Sequence, residues 1–104
     1  VINPLGALNQ VEGGVIDGIG HAMYGEFNFT NGVPQSANFD TYRLIRIKET
    51  PIVETYFIES DRTPTGLGEP TLPPAGPALA NAIKAATGIR LTKQPFIENK
   101  EIFG

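Results

Sequence analysis

The feature that most constrains the fold is a glycine- and proline-rich stretch at residues 66–74, GLGEPTLPP, followed by a run of small residues that ends at Gly88. Glycine frees the backbone and proline removes an N–H donor, so the stretch predicts a kinked turn ahead of a helix. The turn carries one carboxylate, Glu69, and no lysine or arginine follows it for several residues. Because glycines let a backbone approach a bound group closely, Glu69 is a candidate general base.

Length and charge narrow the class of protein. With 104 residues the chain fits one domain, and 8 basic against 11 acidic residues give a net charge of −3. The basic residues are scattered over residues 43–100 instead of clustered, which argues against nucleic acid as a partner. The absence of cysteine excludes disulfides and thiolate metal sites in this chain and leaves the redox compartment open. No apolar run approaches the roughly 20 residues of a membrane span. The start at Val1, without Met, suggests a piece of a longer protein.

The first predicted element is a glycine-rich amphipathic helix. Asn3 and Pro4 form a helix-start signal, and apolar residues then recur at three- and four-residue steps, which predicts a helix over residues 8–24. Each glycine inside a helix costs about 1 kcal/mol relative to alanine, so the glycines indicate a need for close approach to another helix, a strand or a ligand. Five glycines lie in or beside this segment: Gly13, Gly14, Gly18, Gly20 and Gly25.

The middle of the chain predicts β structure. Residues 24–29 and 33–39 flank the turn sequence Thr-Asn-Gly and predict a hairpin, and residues 52–58 are rich in β-branched and aromatic side chains between two prolines. With the irregular segment around residues 42–47, this gives a small antiparallel sheet of about three to four strands. The fold class expected is α+β, with two main helices in one unit over residues 1–104.

A second helix is predicted over residues 74–87, with Pro77 in its first turn and Gly88 as its C-terminal stop. The tail, residues 90–104, is expected to be extended and loosely held, with three apolar anchors at Leu91, Phe96 and Ile97.

Two motifs in this order resemble a known family. Residues 66–70 (GLGEP), together with residues 77–90 (PALANAIKAATGIR), resemble the C-terminal end of the molybdopterin-binding subunit of the xanthine dehydrogenase and aldehyde oxidase family. The bacterial isoquinoline 1-oxidoreductase β-subunit branch is the nearest match. Residues 10–14 (QVEGG) independently resemble the family segment that lies beside the molybdenum cofactor. Two matching motifs about fifty residues apart are far more specific than either alone.

The resemblance implies hydroxylation of an N-heteroaromatic or aldehyde carbon with oxygen taken from water. Glu69 matches the family glutamate that removes the proton from the attacking oxygen nucleophile. Gln10 matches a glutamine that hydrogen-bonds the pterin, and the neighbouring Gly13 and Gly14, with Gly68 beside the base, would let the backbone approach the cofactor. A dry cavity suits this role, since desolvation makes a carboxylate a stronger base.

The resemblance also implies cofactors and partners outside this chain. In the complete enzyme the cofactor would be molybdopterin with molybdenum, in its cytosine dinucleotide form. The partners would be the remainder of the large subunit, an iron–sulfur subunit or another electron-transfer partner, and a small aromatic heterocycle or aldehyde. The compartment would be the bacterial cytoplasm or periplasm. The isolated chain is expected to bind no cofactor and to be inactive.

Simpler interpretations exist for each residue. A glutamate in a Gly/Pro turn is usually a solvated surface residue, Gln10 could be a surface amide, and the glycines could serve packing. His21, the lone histidine, has no second ligand at metal-binding spacing and is predicted to be structural. As a whole, the chain could be a non-catalytic interaction or structural module derived from the same domain. Against this alternative, Glu69 stands intact within its full motif.

Overall fold

The structure is a computed structural model that describes all 104 residues. Two long helices dominate it, and a two-stranded antiparallel sheet lies between them in the chain. The elements in chain order are α1 (Pro4–Tyr24), β1 (Phe29–Thr30), β2 (Val33–Pro34), a 3₁₀ helix at Ile47–Glu49, α2 (Leu72–Thr87), a second 3₁₀ helix at Phe96–Glu98, and α3 (Lys100–Phe103).

The start of α1 follows the predicted signal. The side chain of Asn3 accepts a hydrogen bond from the Gly6 N–H at 3.0 Å, and Pro4 occupies the first turn, where no N–H is needed. The helix therefore begins at Pro4, four residues before the predicted start, and ends at Tyr24 as predicted. The cap signal was a better guide to the start than the apolar periodicity.

The hairpin forms where the turn sequence predicts it, although it is short. Thr30 pairs with Val33, and Phe29 pairs with Pro34. Asn31 and Gly32 both have positive φ, at 50° and 79°, the conformation that a tight two-residue hairpin turn requires. Pro34 tolerates its position because Phe29 and Pro34 form a non-hydrogen-bonded pair, and beyond them the Gln35 N–H donates to the Asn28 carbonyl at 2.8 Å.

The α+β class is confirmed, but the strand predicted at residues 52–58 is not formed. The sheet has two strands and not three or four, and residues 50–60 carry no regular secondary structure. A strand needs a neighbour for its backbone groups, and no backbone group of this chain makes a hydrogen bond to the backbone of residues 52–58.

The second helix, α2, begins two residues earlier than predicted. Pro77 consequently falls in the second turn and not in the first, where it removes one helical donor. Gly88 ends the helix as predicted: its φ is 81° and its N–H donates to the Lys84 carbonyl at 2.8 Å.

The tail departs from the extended conformation predicted for residues 90–104. It contains the second 3₁₀ helix and α3. Leu91 and Phe96 are buried, as expected of anchors, whereas Ile97 remains 41% exposed. The tail is thus part of the core.

The core consists mostly of small side chains. Ala22 of α1 and Ala80 of α2 form a buried cluster with the tail residues Leu91 and Phe96. The bulky apolar residues of α1 flank the helix–helix contact instead of filling it, since its buried positions are only alanine and glycine. None of the helices has both the length and the apolar character that crossing a membrane requires.

Candidate functional site

A hydrogen bond joins the two motifs that the sequence singles out. Gln10 lies on α1, and its Nε2 donates to the carbonyl oxygen of Gly68, 58 residues later, at 2.5 Å. Every other side-chain hydrogen bond in the chain joins residues nine or fewer positions apart. The contact places the turn that carries Glu69 directly against the N-terminal half of α1.

Close helix packing fixes this arrangement. A Cβ at Gly18 would lie 2.6 Å from the carbonyl oxygen of Leu72 and 2.7 Å from the Cβ of Ala75, distances that real Cβ atoms do not reach. A Cβ at Gly14 would collide with the hydroxyl of Thr71. These two glycines therefore allow α1 to touch Thr71 and the first turn of α2, which begins three residues beyond Glu69. The close approach that the sequence predicted is made, at these positions, with another helix.

Gly13 and Gly68 have a different environment. An added Cβ at either position would meet no heavy atom within 4 Å. Gly13 lies three residues after Gln10, on a neighbouring part of the same helix surface. The backbone is therefore bare and accessible on both sides of the Gln10 amide, and this is open space that a ligand could occupy.

The carboxylate of Glu69 is exposed and unpartnered. The Glu69 carbonyl accepts a hydrogen bond from the N–H of Leu72 at 3.3 Å, which closes the turn before α2. Its side chain takes part in none of the chain's hydrogen bonds or ion pairs. A carboxylate without an internal partner is free to accept a proton from a bound group, provided that the group is held beside it.

An open groove of about 740 Å³ runs from the start of α1 to this turn. Arg62 is its only charged side chain, and sequence reasoning missed it because residues 60–64 were interpreted only as the boundary after the predicted strand at residues 52–58. The available signal was an arginine among hydroxyl residues just before the glycine turn. Guanidinium, amide and hydroxyl groups together suit an anionic or strongly polar ligand. Glu69 does not line the groove. The polar lining consists of Asn3, Gln10, Ser60, Arg62, Thr63 and Thr65.

A second polar cluster lies at the other end of α1. Arg43 is 4.1 Å from the centre of the Tyr24 ring and donates to Glu49 at 2.5 Å. The hydrogen bond from Arg43, with a further one from the Arg46 N–H, lowers the pKa of Glu49. Burial, followed by the interaction with Glu49, raises the pKa of Tyr24. Tyr24 is about 20 Å along the helix from Gln10, so the cluster is separate from the site.

His21 has one carboxylate beside it in this chain. It lies 3.7 Å from Asp17, one helical turn earlier, and both side chains are exposed. No group of three or more His, Cys, Asp or Glu side chains in the chain has a geometry that could hold a metal ion.

The sequence was compared with known families and proteins. The family described as "Molybdopterin cofactor-binding domain" matches residues 1–51, a range that contains Gln10, Gly13 and Gly14. A membrane-bound aldehyde dehydrogenase (pyrroloquinoline-quinone) of Gluconacetobacter polyoxogenes is 39% identical over 95 residues, 91% of this chain and 12% of that protein.

Two further relatives align over most of the chain. The isoquinoline 1-oxidoreductase subunit beta of Brevundimonas diminuta is 34% identical, covering 83% of this chain and 11% of that subunit. A putative xanthine dehydrogenase molybdenum-binding subunit of Escherichia coli K12 is 33% identical, covering 91% of this chain and 14% of that subunit. The chain thus spans a small part of the length of each relative that it matches.

Proposed function

The chain belongs to the molybdopterin-binding subunits of the xanthine dehydrogenase and aldehyde oxidase family, and from this we propose that it forms one wall of a molybdenum hydroxylase active site. In the complete enzyme the reaction would be hydroxylation of an N-heteroaromatic or aldehyde carbon with oxygen from water. Glu69 would be the general base. The observation that carries this proposal is the hydrogen bond from Gln10 to Gly68, which brings the two family motifs together.

The residues around Gln10 fit a pterin cofactor. Its Nε2 has one N–H committed to Gly68, and its second N–H and its Oε1 have no partner within the chain. Gly13 and Gly68 leave the neighbouring backbone uncovered, and Gly14 lets the turn lie close enough to share the surface. We propose that these four residues contact the cofactor, in its cytosine dinucleotide form. When bound, the cofactor would supply the oxidising centre of the reaction.

The family match supports molybdopterin over the quinone named for one relative. That match covers the segment holding Gln10, whose free hydrogen-bonding groups suit the pterin, and Gly13, whose bare backbone leaves room for it. Quinone binding would leave the family match over residues 1–51 without a role. Molybdenum in the complete enzyme, measured together with the organic cofactor released on denaturation, distinguishes the two.

Glu69 would act on the water-derived oxygen. As that oxygen attacks the substrate carbon, one Glu69 carboxylate oxygen would accept its proton and later release it to solvent, while the hydrogen on the carbon would leave with its electron pair, which the oxidising centre supplied by the cofactor would take up. General bases of this kind contribute about 10²- to 10⁴-fold to a rate. The carboxylate is exposed in this chain, so the dry surroundings would come from the remainder of the large subunit. Electrons would leave through an iron–sulfur subunit or another electron-transfer partner. The chain alone would neither retain the cofactor nor turn over substrate.

The test is Glu69→Gln in the complete enzyme. The amide keeps the size of the side chain but cannot take up the proton, so turnover should fall by about 10²- to 10⁴-fold while molybdenum content stays unchanged. Glu26→Gln is the matched control, because Glu26 is exposed beyond the end of α1 and takes part in no hydrogen bond or ion pair. Near-normal turnover of Glu69→Gln would remove the base assignment and favour the alternative, a non-catalytic structural module.

A further inference from the structure

Residues 51–68 form the longest part of the chain whose backbone makes no hydrogen bond to other backbone groups. None of the 45 backbone–backbone hydrogen bonds involves this segment. Within it, residues 52–58 (IVETYFI) have the β-branched and aromatic composition that is typical of strands. A segment with strand-forming side chains and unpaired N–H and C=O groups has the properties of a strand that lacks its neighbour.

The two faces of this segment differ in exposure. Ile52, Tyr56 and Ile58 are 96%, 84% and 94% exposed. The intervening Val53 and Thr55 are half-buried, and the Thr55 hydroxyl is enclosed without a hydrogen-bond partner. Alternation with a period of two is the periodicity of a β-strand. One face of the segment therefore lies against its own chain, while the other presents three large apolar side chains to the outside.

We propose that residues 52–58 are a strand completed by an extended segment from the remainder of the large subunit, outside these 104 residues. The proposal rests on the chain being a segment of such a subunit, as the proposed function requires, but not on the role of Glu69. Relatives that align with 91% of this chain devote only 8–14% of their length to the match, so most of their polypeptide lies outside it. That remainder can supply the neighbouring strand, which would pair along the backbone edge of residues 52–58 and place its own side chains beside their outward apolar ones.

The outward face also specifies the chemistry of the pairing segment. Its only charged group is Glu54, which accepts a hydrogen bond from the Tyr56 hydroxyl at 3.3 Å. Cross-strand neighbours stabilise a sheet when apolar side chains face apolar ones and opposite charges face each other. The pairing strand should therefore carry apolar residues opposite Ile52 and Ile58, with a lysine or arginine opposite Glu54. Main-chain hydrogen bonds would supply the affinity and these side chains the register.

A strand paired with residues 52–58 would affect the groove, because the segment and the groove are connected along the chain. Ile58 ends the segment and also lines the groove, and the chain then continues through Arg62 to Gly68 beside Gln10. Anchoring residues 52–58 would therefore hold in place the wall of the groove that carries Arg62.

Hydrogen exchange in the full-length large subunit tests the proposal. Amides within residues 52–58 should exchange at least about tenfold more slowly in the subunit than expected for an unpaired chain. Ile52→Lys and Ile58→Lys should remove that protection. Ile47→Lys should not, because Ile47 is 88% exposed but lies in a 3₁₀ turn with its own hydrogen bonds. Since the readout is exchange, it is independent of the Glu69→Gln result.

Unprotected amides in the full-length subunit would overturn the proposal. Protection that appears only as the subunit dimerises with rising concentration would also overturn it, since the neighbour would then be a second copy. Protection that persists in both lysine variants would show that the outward face is not the paired surface.

Discussion

The contact between α1 and α2 and the segment of residues 52–58 satisfy their backbones in opposite ways. The helices pair their own N–H and C=O groups, so they need only a face to pack, and Gly18 against Ala75 supplies it. The segment has strand-forming side chains but no neighbour, and its largest residues stay exposed. Helical hydrogen bonding is local and strand pairing is not, so a chain of this size completes the first and leaves the second open.

The comparison extends to the source of packing in each region. The helix contact buries alanine and glycine, and no large side chain in the chain is fully buried. At the helix contact, close packing of the two backbones takes the place of large buried side chains. In residues 52–58, by contrast, large side chains are abundant and stay exposed. The helix contact should therefore be sensitive to added volume, while the segment should be sensitive to added charge only when its neighbour is present.

The largest effect on stability is expected from Gly18→Ala. The added methyl would meet the Leu72 carbonyl and Ala75, neither of which can move aside, so overpacking of about 1–3 kcal/mol should exceed the alanine helix preference of about 1 kcal/mol. Gly13→Ala is the matched control for stability: its Cβ meets nothing, so it should be neutral or stabilise α1 by up to about 1 kcal/mol. Native-state hydrogen exchange of the complete subunit measures the stability change in each variant, as the free energy of opening of the α1 amides.

Equal effects of the two substitutions would contradict the contact, because helix propensity acts on both positions alike. A loss at Gly13 alone would mean that α1 packs through a different face.

A smaller effect is expected from Gly14→Ala. The obstacle there is the end of a side chain, the Thr71 hydroxyl, which can rotate at a cost of about 0.5–1.5 kcal/mol, offset in part by the helix preference. The double variant with Thr71→Ala removes the obstacle and should restore α1 to at least its original stability. A double-mutant cycle by the same hydrogen-exchange measurement gives the coupling. Additive effects would show that Gly14 and Thr71 do not touch.

The smallest effect is expected at the ion pair of Arg43 and Glu49, in the turn that precedes the extended segment. Because hydrogen bonding lowers the pKa of Glu49, its contribution is present above its ordinary value of 4.5 and is lost as the pH falls through the lowered value. Both side chains are substantially exposed, so the change should be small.

The chemical shift of the Arg46 amide, which donates to Glu49 at 2.7 Å, reports this titration in a segmentally labelled subunit. Glu49→Gln should abolish the acid-dependent change. A titration at or above the ordinary value would show that the pair is absent in solution.

The sequence predicted the parts of the fold that local chemistry decides. Asn3 with Pro4, the turn at Asn31 and Gly32, and the stop at Gly88 are each specified by a few neighbouring residues. Residues 52–58 were predicted wrongly because composition reports the tendency to form a strand and not the presence of a neighbour. The extent to which the tail packs into the core was underestimated, because burial of Leu91 and Phe96 depends on α1 and α2 being packed beside the tail.

The sequence singled out candidate site residues, whose roles stay untested, but not the contact between them. The family resemblance, which the comparisons confirm, singled out Gln10 and Glu69 from two distant motifs. The hydrogen bond from Gln10 to Gly68 could not be predicted from spacing. The two residues lie 58 positions apart, and much of the chain between them has no regular secondary structure from which their separation in space could be calculated. Arg62 was missed for a related reason: its relevance appears only when the groove beside α1 is assembled. The roles of these residues stay predictions.

The long separation between the two halves of the helix contact has a consequence for biosynthesis. Gln10 emerges from the ribosome 58 residues before Gly68, and at about 5–20 residues per second this delay is about 3–12 s. Throughout that interval the glycine surface of α1 has no complement, and a helix whose stability comes mainly from tertiary packing is marginal alone. Nascent chains should therefore be most vulnerable to proteases and most dependent on chaperones just before α2 is translated.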